Sequence, residues 1–176
     1  MVTHSCGITS SVPPKLWFLD GTPRPPSIIM QTREGRWVFN SQIQEISAFE
    51  ESYLPLFKRD YPDAEFRTGP NPVYNCHGLT FAARRTGIHE TSNLLVILDD
   101  DRYAEVTLDH VLPGDVILYF SADGDIEHSG VVISNDPGNF KVPKVLSKWG
   151  KYFEALHPFN RCPYDFQIVK YYRVMS

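Results

Sequence analysis

Cys76 is the residue of this sequence best placed to do covalent chemistry. It follows a turn-forming run, Thr68-Gly69-Pro70-Asn71-Pro72, and opens a stretch with helical character. A thiol in the first turn of a helix is favoured as the thiolate by unpaired backbone N–H groups and the helix dipole. A nearby imidazole lowers its pKa further and later protonates the leaving group. Attack on a carbonyl or thioester then gives an acyl-enzyme, with backbone N–H groups around Cys76 as oxyanion donors. His128, in Glu127-His128-Ser129-Gly130-Val131-Val132-Ile133, is the expected base. The competing readings are an inert buried cysteine and a hydrogen-bonded sheet histidine. The polar neighbours Asn75, His77 and Gly78 favour the chemical reading of Cys76. Gly78 and Gly130 both permit close approach of a backbone or a substrate.

The elements that must hold these residues can be read from periodicity. Residues 41–57 carry Ile43, Ile46, Phe49, Tyr53 and Phe57 at helical spacing, with Ser41 as N-cap, Gln44 completing a capping box and Pro55 bending or ending the last turn. Residues 75–85 read as a second helix, N-capped by Asn75 and stopped at Gly87. Residues 89–99 read as a third, with Leu94, Leu95 and Leu98 on one face; an apolar strand over 94–98 is the alternative. Then come strands over 116–120, 126–134, 142–149 and 166–174, separated by turn signals that include Leu112-Pro113-Gly114-Asp115 and Asp123-Gly124. Helices first and sheet after is an α+β order, without the alternation of a dinucleotide-binding fold. Residues 1–40 are rich in Pro, Ser and Gly and read as an irregular arm. Short strands are expected over 27–32 and 35–39, with packing on the 41–176 domain through Trp17, Phe18 and Trp37.

Three motifs in order resemble the NlpC/P60 and CHAP papain-like cysteine hydrolases. Tyr74-Asn75-Cys76-His77-Gly78-Leu79-Thr80-Phe81 resembles their nucleophile motif. Pro113-Gly114-Asp115-Val116-Ile117-Leu118-Tyr119-Phe120 resembles their Pro-Gly-Asp turn and strand, and 127–133 their histidine strand. The resemblance covers residues 70–135. It implies a papain-like fold, with helices packed on a C-terminal antiparallel sheet and a Cys76–His128 pair. These families take a third catalytic residue from the next strand, but Val145-Leu146-Ser147-Lys148-Trp149 offers no match. His157 is the better candidate for accepting the Nδ1 proton of His128, against a purely structural role. Glu154, Asn139 and Asp125 are further candidates. Tyr74, Asn75 and His77 are assigned to substrate or oxyanion support, although Tyr74 could equally pack under the first helix. His77, about a quarter-turn from Cys76, is read as capping, touching substrate or facing solvent.

Composition limits the alternatives. The chain has 176 residues, 42% of them apolar, with 17 Lys+Arg against 21 Asp+Glu for a net charge of -4. That balance carries no electrostatic footprint for nucleic acid, and no apolar run is long enough to cross a bilayer. The three cysteines, Cys6, Cys76 and Cys162, are too few for a disulfide framework. Cys76 and His77 lack the second ligand pair a zinc site needs, so neither metal nor cofactor is expected. Without a charged segment leading into an apolar one near Met1, the cytoplasm is the default location, delivery by a non-classical system being the alternative. The expected activity is cleavage of a peptide or amide bond, peptidoglycan peptides included. The alternatives are a deamidase or acyltransferase effector, and a non-catalytic binding module on the same scaffold. As a toxin, the protein would have an immunity or inhibitor protein as partner.

Overall fold

A computed structural model describes residues 25–43, 45–135 and 142–175. Trp17, Phe18, Cys6, Gln44 and Asn139 lie outside them. Four α-helices are described: α1 (Ala48–Glu51), α2 (Leu54–Asp60), α3 (Cys76–Phe81) and α4 (Thr91–Asp100). The strands are β1 (Glu65–Phe66), β2 (Tyr103–Val106), β3 (Val116–Phe120), β4 (Ile126–Asn135), β5 (Pro143–Lys148), β6 (Glu154–Pro158) and β7 (Ile168–Val174). They form one antiparallel sheet in the order β1-β6-β5-β4-β3-β7-β2. The architecture is α+β. Among the described residues no helix is long and apolar enough to cross a membrane.

The expected helix over 41–57 is replaced by two short ones. Ser41 is held extended by a bridge to Gly87, each amide donating to the other's carbonyl at 3.0 and 2.9 Å. The helix starts instead at Ser47, whose hydroxyl accepts from the Glu50 amide while Glu50 accepts from the Ser47 amide. This capping box satisfies two orphan donors at once. Pro55 sits in the first turn of α2, where its missing N–H costs nothing, so it begins a helix rather than ending one. Phe49 and Tyr53, read as core-facing, are 71% and 40% exposed. In α4, Leu94, Ile97 and Leu98 are buried and Leu95 faces outward. The short strands β1 and β2, and β6, which carries His157, are additions to the expected sheet.

The arm is tied down where it is described. Gln31 and Trp37 form a bridge around a turn. Val38 enters the core, and Arg36 pairs with Asp99 and Asp100 on α4. Trp37 itself is half-exposed, so Val38 is the anchor in place of the expected tryptophan.

The sheet has a core on each side. Val116, Leu118 and Ile126 point to one face and pack with Ala82, Ile88, Leu94 and Ile97, the side of α3 and α4. Ile117, Tyr119, Val132, Val145 and Ala155 point to the other, packing with Trp149 and Tyr171. Period-two alternation therefore decides which side chains can meet α3.

Candidate functional site

Asn75 starts α3 as its N-cap. Its Oδ1 accepts from the amides of Gly78 at 2.9 Å and Ile88 at 3.1 Å, and its Nδ2 donates to the Ile88 carbonyl at 2.6 Å. One side chain thus caps the helix and anchors the returning loop. Gly78 is required for that closure: a Cβ there would lie 1.8 Å from the Thr86 carbonyl oxygen. The close approach foreseen for this glycine is to backbone. The helix ends at Phe81, sooner than expected, because Ala83 and Arg84 adopt positive φ values of 48° and 66°.

Cys76 is buried, at 5% exposure. Burial pushes its pKa up to about 11, opposed by the amides of Ser129, His77 and Cys76 itself and by the Ser129 hydroxyl. At neutral pH this leaves roughly one thiolate in ten thousand molecules. The resting group is the neutral thiol.

His128 does not complete a dyad with it. Both imidazole nitrogens are buried without a hydrogen-bond partner. Ser129 points toward α3, where its hydroxyl bonds His77 Nδ1 at 2.9 Å and Thr80 Oγ1 at 3.0 Å. His128, one residue earlier, points the opposite way. Its register partner Tyr119 belongs to the far core. Its ring stacks on Tyr164 at 3.9 Å and 15° and tilts against Tyr119 at 5.2 Å. Burial, with His157 and His77 nearby, holds its pKa well below the usual value.

His157 shares that far face but is committed elsewhere. Its Nε2 meets Ser147 Oγ at 2.7 Å and its Nδ1 the Pro158 carbonyl at 2.8 Å. Ser147 also accepts from Trp149 Nε1 at 3.1 Å. Burial lowers the His157 pKa to about 4. It makes no hydrogen bond to His128, so the orienting role expected for it is not realised. Asp125 is exposed. Glu154 is occupied by Tyr74 Oη at 2.6 Å and by Arg84 at 2.6 and 3.1 Å. Tyr74 is therefore a buried strut between the segment leading into α3 and β6.

His77 is 6% exposed, so of the roles read for it (capping, touching substrate or facing solvent) the last does not hold. Burial lowers its pKa to about 4, keeping it neutral. Lys148 is also buried, on the α3 face. Its Nζ donates to the Gly150 and Tyr152 carbonyls at 3.2 and 2.9 Å and lies 5.1 Å from the Tyr74 ring centroid. Burial brings its pKa down to about 8. Ser129, Thr80 and Tyr164 are the site residues that sequence reasoning missed. The signal for Ser129 was its place beside His128, since one of two adjacent strand residues must face the helix. Among the described residues no group of three or more His, Cys, Asp or Glu is arranged to hold a metal ion. No protein-family model, curated protein or solved structure matches the chain.

Proposed function

We propose that this protein is a cysteine hydrolase on a papain-like scaffold, with Cys76 as nucleophile toward a peptide or amide carbonyl. One observation carries the reading: Cys76 is the first residue of α3, directly after its Asn75 cap, and is buried where that helix packs on β4, so the unpaired amides of the first helical turn lie around the sulfur. Preorganised N–H groups at this point favour the thiolate and then the oxyanion formed from the substrate carbonyl. The order of cysteine, Pro-Gly-Asp and histidine motifs supports the same reading. Thiolate attack would give an acyl-enzyme and release an amine, and water would restore the thiol.

The reading is tested by intact-mass analysis after brief exposure to iodoacetamide at pH 7, followed by a peptide and amide substrate screen against Cys76→Ser. Selective labelling of Cys76 over Cys6 and Cys162, with turnover lost in Cys76→Ser, is the expected result. Slow, indiscriminate labelling and no turnover would overturn it. That outcome would favour the second reading, a binding module that retains the scaffold without the chemistry. The observation behind this alternative is the unpartnered His128 ring on the far face of the sheet.

A further inference from the structure

We propose that the cavity beside the β5–β6 turn is the pocket for one phenyl-sized side chain of the peptide substrate; the inference rests on the cysteine-hydrolase reading. The cavity is lined by Phe57, Trp149, Gly150, Tyr152, Pro163 and Tyr164 and has a volume of about 150 Å³. An apolar cavity of about that size holds a single benzene molecule. Four of the six lining residues are aromatic, and none carries a charge. Phe57 reaches the cavity from α2, the three residues 149–152 supply from the turn after β5, and Pro163 and Tyr164 from the segment between β6 and β7. Trp149 is 1% exposed, whereas Phe57, Tyr152 and Tyr164 are half-buried, so the cavity opens to solvent past them.

The walls are preformed. The Tyr164 ring stacks on His128 at 3.9 Å, and its hydroxyl accepts from the Gly150 amide at 2.8 Å. Phe57 tilts against Trp149 and Tyr152, with ring centroids 5.9 and 5.1 Å apart. The backbone and indole groups of the wall are already in use. The Gly150 carbonyl accepts from Lys148 Nζ, the Tyr152 carbonyl from Lys148 Nζ and the Asn71 amide, and Trp149 Nε1–H donates to Ser147. A charged or amide side chain entering here would give up its bonds to water for too few new ones, whereas an apolar ring has no such bonds to lose. The Lys148 ammonium on the same two carbonyls also opposes a cationic guest, so the rings are not a cage for a methylated ammonium group. The cavity adjoins the segment that leads into Cys76. The Asn71 amide donates to the Lys151 and Tyr152 carbonyls at 3.0 and 3.3 Å. The Lys148 ammonium joins the Gly150 and Tyr152 carbonyls to the Tyr74 ring, 5.1 Å from its centroid. Tyr74 stands two residues before the nucleophile. A peptide whose carbonyl meets Cys76 therefore needs only a few residues to bring a side chain to the cavity.

Two measurements on the full chain test the pocket. In the first, N-acetylphenylalaninamide, N-acetylalaninamide and N-acetyltryptophanamide are titrated at pH 7 and followed in 1H–15N spectra of the unaltered protein. The phenylalanine compound is expected to shift the Gly150 amide and Trp149 indole signals. It should bind about tenfold or more tighter than the alanine compound, which lacks the ring, and tighter than the tryptophan compound, whose indole overfills the cavity. Tyr152→Ala removes one wall and is expected to weaken that binding at least about fivefold, while Leu95→Ala, on the outer face of α4, leaves it unchanged. In the second, cleavage of a mixed peptide library is read by mass spectrometry, and phenylalanine is expected within about three residues of the cut. Equal or absent binding of the three amides would overturn the pocket. Cleavage without regard to phenylalanine would also overturn it and leave the hydrolase reading standing. Selective binding of the phenylalanine amide with no peptide cut would overturn the hydrolase reading and keep the cavity as the recognition pocket of a binding module.

Discussion

At the scale of single residues, His128 carries two of the buried polar atoms left without a hydrogen-bond partner among the described residues. Two ring nitrogens are sequestered between Tyr164 and Tyr119 without a partner, and each orphaned buried polar group costs about 1–3 kcal/mol. Phenylalanine has a similar shape and no polar atom to satisfy. His128→Phe is therefore expected to raise the unfolding free energy by about 1 kcal/mol or more, measured by urea denaturation at pH 7. A loss of similar size would show that the nitrogens find partners in solution. The sequence identified His128 as unusual, a histidine entering an apolar strand. It misjudged the reason, because it could not say which way the ring faced.

At the scale of elements, the site depends on two stapled turns. The α3 turn closes on the Thr86 carbonyl through Gly78, and a methyl group cannot be accommodated 1.8 Å from a backbone oxygen. Overpacking ordinarily costs about 1–3 kcal/mol. Because backbone has to move here, Gly78→Ala is expected at or above the top of that range by urea denaturation, with accelerated modification of Cys76 as α3 shifts. The Pro-Gly-Asp turn is held by Asp115, which accepts from the Leu112 amide at 2.8 Å and takes Arg173 in a two-pronged pair at 2.7 Å each. Asp115→Ala removes a buried acceptor and strands a backbone donor. A loss of about 2–3 kcal/mol is expected, with Asp115→Asn losing less because it still accepts from Leu112. The periodicity of 75–85 and 116–134 made these elements legible. The capping contest between Ser41 and Ser47 was not, because it was decided by the Ser41–Gly87 bridge between residues 46 positions apart.

At the scale of the whole molecule, three buried neutral histidines set the response to acid. The pKa values of His77 and His157 are lowered from 6.5 to about 4, and that of His128 is held well below its usual value, in each case chiefly by burial. The folded state thus binds fewer protons than the unfolded chain. Their contribution to stability is complete above pH 6.5 and is lost as pH falls toward 4. His77 and His157 each cost about 1.4 kcal/mol per pH unit inside that window, a sizeable share of the roughly 5–15 kcal/mol stability typical of a domain. Urea midpoints are expected to fall steeply between pH 6.5 and 5. His157→Gln should shallow the slope by about one proton, and an unchanged slope would refute the assignment. At the alkaline end the sign reverses. Burial raises Cys76 and Cys162 from 9 to about 11, so stability drops again as pH rises through that interval.

By itself the sequence determined the α+β order, the Asn75-capped start of α3 at Cys76, the turn at 112–115 and the strand carrying His128. Each follows from local rules: capping chemistry, glycine and proline geometry, and period-two or helical spacing. Only the tertiary structure decided that Ser129 faces α3 while His128 faces the opposite core, that His157 is spent on Ser147 and Pro158, and that Glu154 binds Tyr74 and Arg84. The face a strand residue presents depends on which side the helix packs and on the register with β3 and β5. Those are contacts between distant segments, and a one-residue shift reverses every side chain. The cysteine was visible because its setting is local, whereas its partner was a question of sides.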